Sequence, residues 1–520
     1  MHGRLEYLSQ LFTDLHVMKQ YLEPILNARV YDVARESDLH TARSLTRRLK
    51  NHVLLKREDQ QSVFSFKCRG AYNRIYQLWQ REKISGVVTA SAGNHAQGVA
   101  LAGKKLGIKS IIVMPVTTPQ IKVDSVNALG GVSVLHGDNY DEAFRHAMAI
   151  SEEKGYPFIH AFDAPDTIAG QGTIGMEICR QHPDPIHAVF VPVGGGGLIA
   201  GVGAYIKCLR PDVKIIGVEP VDACAMHDSL KKGKRVTLDS VGMFADGVAV
   251  REVGQETFRI CQQVVDEVVL VTVDEISAAV KDIFEDTRAI VEPSGALSVA
   301  GLKKYVAREQ ISDENLVAIA SGANVNFDRL RHIAERAEIG ESREALFVVT
   351  IPEKPGSFKR FCQTIGKRSI TEFNYRYADK ESAQIFVGIE LRKGDTERQQ
   401  ILEKLQKAGY PVVDLTDDEM AKLHLRYMVG GHGGNLKNEN LYRFEFPEKP
   451  GALLDFLTRM NKGWNISLFH YRNHGSAYGR VLVGMQVPEE EQAQFQTFLD
   501  SLGYGFYCEN NNPAYEAFLS

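Results

Sequence analysis

Residues 188–206 read AVFVPVGGGGLIAGVGAYI, nineteen positions without a charge. That length and composition approach a membrane span. Pro192 and the consecutive Gly194, Gly195, Gly196 and Gly197 argue against a single helix, because each is costly in a helix interior. The stretch resolves better into a strand (HAVFVPV), a glycine turn and a helix (LIAGVGAYI). That reading makes the protein soluble and puts the glycines at the carboxyl end of a strand.

The same alternation extends from about Val53 to Leu330. Short β-rich runs (VLLK, GVVTA, SIIVMP, AVFVPV, VKIIGVE, LVAIA) are separated by helix-length amphipathic segments. Strands alternating with helices predict an α/β fold with a parallel sheet and helices on both faces. The runs are almost wholly apolar, as strands buried on both faces should be. The fifty or so residues before them read as helical with exposed charges.

A second kind of sequence follows the polar stretch ERAEIGESREA. LFVVTIPEKPGSFKRFCQTIG from Leu346 aligns with LYRFEFPEKPGALLDFLTRMN from Leu441, and ITEFNYRY from Ile370 aligns with ISLFHYRN from Ile466. An internal repeat of this kind marks a duplicated unit. Each copy reads strand, PEKPG turn, helix, strand, strand, helix, strand, a ferredoxin-like α+β module. No catalytic cluster is evident in either, which favours binding and regulation over dimerisation or solubility. The VGGHGGNLKNEN linker between them (Val429–Asn440) matches no functional pattern.

With 520 residues, three or four domains are expected. Lys plus Arg is 61 and Asp plus Glu is 65, a net charge of −4, so a basic nucleic-acid surface is not indicated. The seven cysteines are scattered and show no CxxC spacing, which argues against a disulfide framework or a zinc site. We find no metal-ligand cluster. The amino terminus carries early acidic residues and no apolar core of a signal peptide. A cytoplasmic enzyme is expected, with no membrane and no nucleic-acid partner.

Four loops carry candidate chemistry, and all precede a helix; three follow clear strands, the edge where open α/β sheets bind ligands. In Ser65–Ala71, a desolvated Lys67 would have a lowered pKa and a nucleophilic amine able to form a Schiff base with a carbonyl. In Ser91–Gly98, the hydroxyl of Ser91 and successive amides at a helix start could cradle a carboxylate. The run Gly194–Leu198 resembles a phosphate nest, and four glycines exceed what close packing alone should need. In Ser321–Asn324, a serine hydroxyl could face the same edge. Each loop also has a plainer reading, as a solvated lysine, a helix cap or a close strand-to-helix contact. Taken together, an amine, a phosphate nest and a carboxylate nest point to pyridoxal 5′-phosphate and an amino acid.

SFKCRGA, SAGNHAQG, GQGT (Gly170–Thr173), VGGGGL, GVEP, EPSGA (Glu292–Ala296) and SGANVNF, in that order, resemble the serine/threonine dehydratases of the fold type II pyridoxal-phosphate enzymes. The trailing copies resemble the paired ACT-like modules of the biosynthetic threonine deaminases. The resemblance implies a two-lobed catalytic domain over residues 1–340, its smaller lobe roughly 60–165, and regulatory modules at 345–420 and 440–515. It implies that Lys67 holds the cofactor and then serves as base at Cα. It further implies that Asn94 meets the cofactor's phenolic oxygen, that Gly194, Gly195, Gly196, Gly197 and Leu198 bind its phosphate, and that Ser321 meets the pyridine nitrogen. Ser91, Gly93, Asn94 and His95 would hold the substrate.

The implied reaction is deamination of L-threonine, or of L-serine as an alternative, to a keto acid and ammonia. The implied product from threonine is 2-oxobutanoate, the first step towards isoleucine. Isoleucine would inhibit, valine would oppose it, and the enzyme would be a homotetramer. Asn374, Tyr375 and Arg376 in the first module, and His470, Tyr471 and Arg472 in the second, are the candidate effector-binding residues. A serine dehydratase or racemase of the same fold stays open, since one methyl is worth only about 1–3 kcal/mol of discrimination. A dinucleotide-binding oxidoreductase built on Gly195, Gly197, Ala200 and Glu219 is the rival from another class. It leaves Lys67, Asn94 and Ser321 without a joint purpose. A non-catalytic amino-acid sensor is a third, opposed by the intact Lys67.

Overall fold

The computed structural model describes residues 19–327, 329–376, 381–418, 421–422, 438–447, 452–460, 463–472, 478–503 and 505–511. The chain divides into two compact units, Met1–Ala337 and Glu338–Ser520. Among the described residues no helix is long and apolar enough to cross a membrane.

The strands of the first unit are β1 (Leu39–Thr41), β2 (His52–Arg57), β3 (Gly86–Ala90), β4 (Lys109–Met114), β5 (Val132–Leu135), β6 (Ala188–Pro192), β7 (Lys214–Pro220), β8 (Glu267–Val271) and β9 (Asn315–Ala320). They form a six-stranded sheet in the order β1-β2-β9-β6-β7-β8 and a three-stranded sheet in the order β3-β4-β5. The opening stretch becomes β6, a loop, and the helix Gly197–Leu209.

Alternation within each strand divides the large sheet's core in two. Val189 and Val191 pack to one side with Ile199, Val202 and Ile319; Phe190 packs to the other with Val218, Leu297 and Ala318. Both faces are therefore dry, which is why these strands show no polar alternation. Truncating a fully buried ring such as Phe190 to alanine would cost about 3–5 kcal/mol.

Two expectations need correction. The leading fifty residues are not simply helical: β1 lies among them and pairs antiparallel with β2, so the sheet has one antiparallel edge. Three residues are too few for a periodic signal. β5 and β8 also fall outside the six runs; both are partly exposed edge strands, so their apolar pattern is broken.

Close helix crossings explain GQGT. A Cβ on Gly201 would stand 2.3 Å from the Ile168 carbonyl and 2.7 Å from the Gly172 nitrogen, so helices Pro165–Gln181 and Gly197–Leu209 touch backbone to backbone.

In the second unit, β10 (Glu344–Pro352), helix Ser357–Ile365, β11 (Ile370–Arg376), β12 (Ser382–Glu390), helix Asp395–Lys407 and β13 (Val412–Asp414) form the first copy. β14 (Glu439–Pro447), helix Ala452–Arg459, β15 (Asn465–Arg472), β16 (Tyr478–Gln486), helix Gln492–Ser501 and β17 (Phe506–Cys508) form the second. The order of elements is the one read from each repeat. The copies share one eight-stranded sheet, β13-β10-β12-β11-β15-β16-β14-β17. Antiparallel β11 and β15 join them, with Phe373 opposite Tyr471, Asn374 opposite His470 and Tyr375 opposite Phe469. Asn374 and His470 occupy equivalent places in FNYRY and FHYRN, so a local two-fold axis passes between them.

The copies also repeat a bulge, at Ile370/Glu372 and at Ile466/Leu468. There the hydroxyls of Thr371 and Ser467 donate to Glu344 and Glu439, the carboxylates that begin β10 and β14.

Candidate active site

The four loops converge on one cavity of about 1290 Å³ in the first unit. It is larger than the roughly 300–1,000 Å³ of an ordinary small-molecule site. Lys67, Ser91, Gly93, Asn94, His95, Gly194, Gly195, Gly196, Gly197, Leu198 and Ser321 all line it.

Lys67 is the first residue of the helix Lys67–Glu82. The preceding turn is tied to the fourth loop, where the Phe66 amide donates to the Ser321 carbonyl at 3.2 Å. The Lys67 Nζ lies 3.4 Å from the Ala161 carbonyl and 5.3 Å from the Phe66 ring centroid. Burial lowers its pKa to about 8, against the opposing charge of Glu292. A substantial fraction of the amine is therefore neutral near physiological pH.

Arg69, in the same helical turn, anchors that helix. Its guanidinium bonds Glu58 at 2.8 Å and Glu177 at 2.6 Å, and Lys56 reaches Glu177 at 2.6 Å, all four side chains being fully buried. Two positive and two negative charges cancel. Burial raises the Glu177 carboxyl, but Arg69 and Lys56 outweigh it and hold it below its ordinary value.

The second loop leaves β3 and opens the helix Asn94–Leu106. The Ser91 hydroxyl accepts from the Gly93 amide at 3.3 Å, folding the loop on itself. A Cβ on Gly93 would meet nothing within 4 Å, so this position faces open cavity. His95 is 4% exposed, and its Nε2 sits 3.0 Å from the Ile159 carbonyl, an acceptor only. The ring proton is therefore on Nε2, and Nδ1 is left as a buried acceptor without a partner. Burial and the nearby Lys67 push this histidine down to about 3, so it stays neutral.

Asn94 is held at both ends of its amide. Its Nδ2 donates to Glu292 Oε1 at 2.6 Å, and its Oδ1 accepts from Asn324 Nδ2 at 2.7 Å. Burial raises the Glu292 carboxyl to about 7. Sequence reasoning singled out Asn94 but assigned no role to Glu292 or Asn324. The glutamate of EPSGA was the available signal.

The glycine loop corrects an expectation. Packing does demand these glycines: a Cβ would stand 2.9 Å from Val248 Cα at Gly194, 2.3 Å from the Phe162 ring at Gly195, and 3.0 Å from Phe162 at Gly197. Gly196 has φ +95°, in the left-handed region. The case for an anion site rests instead on the amides. The N–H groups that begin the helix Gly197–Leu209 have no intrahelical acceptor and find none among the described residues.

The Ser321 hydroxyl lies 3.4 Å from the Ser294 carbonyl, 4% exposed, beside the Lys67 turn. Glu219 lies elsewhere in function: its two oxygens accept the amides of Met226 at 2.9 Å and His227 at 2.8 Å, capping the helix Ala225–Lys232. The acid of a ribose site is thus occupied by the protein's own backbone.

The candidate effector residues are not in this cavity. Asn374, Tyr375, His470 and Tyr471 lie on the paired β11 and β15 of the second unit. The Tyr375 ring is in the module core, its hydroxyl donating to Glu353 at 2.5 Å, and Tyr471 is in the same core. The Asn374 Oδ1 is buried without a partner. The side chains of Arg376 and Arg472, and most of the glycine-rich linker, fall outside the described residues.

The arrangement offers an amine that can attack an aldehyde, amides that can hold a phosphate, and hydroxyl and amide side chains for a polar ring. Those features fit pyridoxal 5′-phosphate. Comparison with known proteins agrees. Residues 30–322 match the family described as pyridoxal-phosphate dependent enzyme. Residues 335–425 and 430–519 each match the C-terminal regulatory domain of threonine dehydratase.

The chain is 57% identical over 503 residues to the biosynthetic L-threonine dehydratase IlvA of Burkholderia multivorans, covering 96% of this chain and 99% of the relative. It is 53% identical over 501 residues to the Escherichia coli protein of the same name, covering 96% and 97%. The solved structure of processed threonine deaminase isoform 2 from Solanum lycopersicum superimposes with a TM-score of 0.61 at 55% identity, covering 62% of this chain and 88% of that one. The chain belongs to the pyridoxal-phosphate-dependent enzymes and, among them, to the biosynthetic threonine dehydratases.

Proposed function

We infer that this protein deaminates L-threonine to 2-oxobutanoate and ammonia. The observation that carries the reading is the position of Lys67, whose amine is desolvated at the wall of a cavity also lined by the glycine loop and the Ser91–His95 loop. When bound, pyridoxal 5′-phosphate supplies an electron sink that makes the substrate's Cα proton acidic. Lys67 would attach the cofactor and, once displaced by the substrate's amine, would take the Cα proton at Nζ. An amine with a pKa near 8 suits that task at neutral pH.

Amides from Gly194 to Leu198 would hold the phosphate. Asn94, fixed by Glu292 and Asn324, would meet the phenolic oxygen. Ser321 would offer the pyridine nitrogen a hydroxyl in place of a carboxylate, which leaves that nitrogen weakly protonated. Ser91, Gly93, Asn94 and His95 would receive the substrate carboxylate, in the open space beside Gly93. The catalytic domain would span residues 1–340 and the regulatory modules 345–420 and 440–515.

Regulation is the second part of the reading. The modules would bind isoleucine as inhibitor and valine as its antagonist, in a cytoplasmic homotetramer. The doubled match to a regulatory domain supports this. So does the unpartnered Asn374 Oδ1 beside the local two-fold axis, since a buried polar atom without a partner is costly.

Lys67→Ala tests the reaction. The holoenzyme should show a visible cofactor band bleached by borohydride, and the variant should lose both the band and keto-acid formation. Survival of either in the variant overturns the assignment.

A further inference from the structure

Four residues of the segment Phe158–Asp163, namely Phe158, His160, Ala161 and Phe162, line the cavity. The segment lies alongside β3, where Phe158 bridges to Val88 and the Ile159 amide donates to the Val88 carbonyl at 2.8 Å. Its residues then touch three functional groups in turn. The Ile159 carbonyl holds His95, the Ala161 carbonyl faces the Lys67 amine, and Phe162 packs on the glycine loop, its ring on Gly195 and its backbone and Cβ on Gly197. Between these contacts stands His160, which also lines the cavity.

The His160 ring is fixed in tautomer and orientation. Its Nδ1 lies 2.9 Å from the Asp163 amide nitrogen and 3.3 Å from that of Phe162, both donors. Nδ1 must therefore be an acceptor, and the proton sits on Nε2. The ring stands at 90° to Phe162, with centroids 4.6 Å apart. Burial lowers its pKa, and Lys67 adds to the effect against Asp163. Nε2–H finds no acceptor among the described residues. The result is a neutral, pre-aimed donor beside the base and the phosphate cradle. The other side chains at 159–162 offer nothing comparable, being isoleucine, alanine and phenylalanine.

We propose that the Nε2–H of His160 is the donor that recognises the β-hydroxyl of the substrate. This rests on L-threonine being the substrate. Threonine presents three polar groups. The amine goes to the cofactor and Lys67, and the carboxylate to the Ser91–His95 loop. The hydroxyl is left for the segment that lies between the base and the phosphate cradle. A fixed donor there favours hydroxy amino acids and hydrogen-bonds the oxygen as its bond to Cβ weakens. The oxygen would leave as water with the proton that Lys67 has taken from Cα, so none need leave the ring.

His160→Asn is the decisive variant, because the asparagine oxygen can keep the two backbone bonds while the outer donor is lost. L-2-Aminobutyrate matches threonine apart from the hydroxyl. With the holoenzyme, kcat/KM for threonine should fall about tenfold or more, the worth of one buried hydrogen bond. The Kd of L-2-aminobutyrate, read from the cofactor band, should change by less than about twofold. His160→Gln, which returns an N–H near the Nε2 position, should recover part of the threonine activity. Equal losses for both ligands, an unchanged threonine kcat/KM, or a glutamine variant no better than asparagine would overturn the proposal. Wild-type protein that binds L-2-aminobutyrate yet never turns over threonine would instead overturn the substrate assignment.

Discussion

The amine of Lys67 shows how a side chain's neighbours set its chemistry. In water a lysine is protonated until pH 10 or so; here burial brings the value to about 8. Only the free amine can attack the cofactor's aldehyde. Reconstitution of cofactor-free protein should therefore quicken with pH, rising about tenfold per unit well below 8 and levelling above it. Stopped-flow growth of the visible band measures this, and a rate still climbing tenfold per unit between pH 9 and 10 contradicts the depressed pKa. Lys67 was legible in the sequence because its motif precedes a helix and sits among the other loops. The supports of Asn94 were not. Glu292 and Asn324 lie 198 and 230 residues away, and only the folded sheet brings them to one amide. The packing demand on the glycine loop was not legible, because the Phe162 ring against Gly195 has no local signature.

At the scale of elements, the helix Lys67–Glu82 must start in one place for its first residue to reach the cavity. Arg69 provides that constraint through Glu58 and Glu177. Arg69→Met would leave Glu58 without its cation and Glu177 with Lys56 alone. Such breaks cost about 3–5 kcal/mol, because a charge is left buried and uncompensated. Urea unfolding of the holoenzyme should show that loss; a change under about 1 kcal/mol would mean water enters the site and the network is less dry than it looks. The strands of the large sheet were legible from their apolar runs. The edge strands β1, β5 and β8 were not, since an edge strand is half exposed and its pattern weakens.

At the scale of the molecule, composition and charge identified nothing; the duplicated segment did. Repeated PEKPG and the parallel FNYRY and FHYRN segments revealed two modules. They did not reveal that the modules share one sheet with Asn374 facing His470 across a local dyad. Register between copies depends on edges that no single copy specifies. A shared sheet gives the two segments proposed to bind effector one continuous backbone, joined at β11 and β15.

The proposed combination, threonine deamination and control by the product of the pathway it begins, resides in one chain. It is tested most directly by following 2-oxobutanoate released from L-threonine by the full-length holoenzyme as isoleucine is added. Keto-acid formation should fall as isoleucine rises. Absence of keto acid, or a rate indifferent to isoleucine, would contradict it.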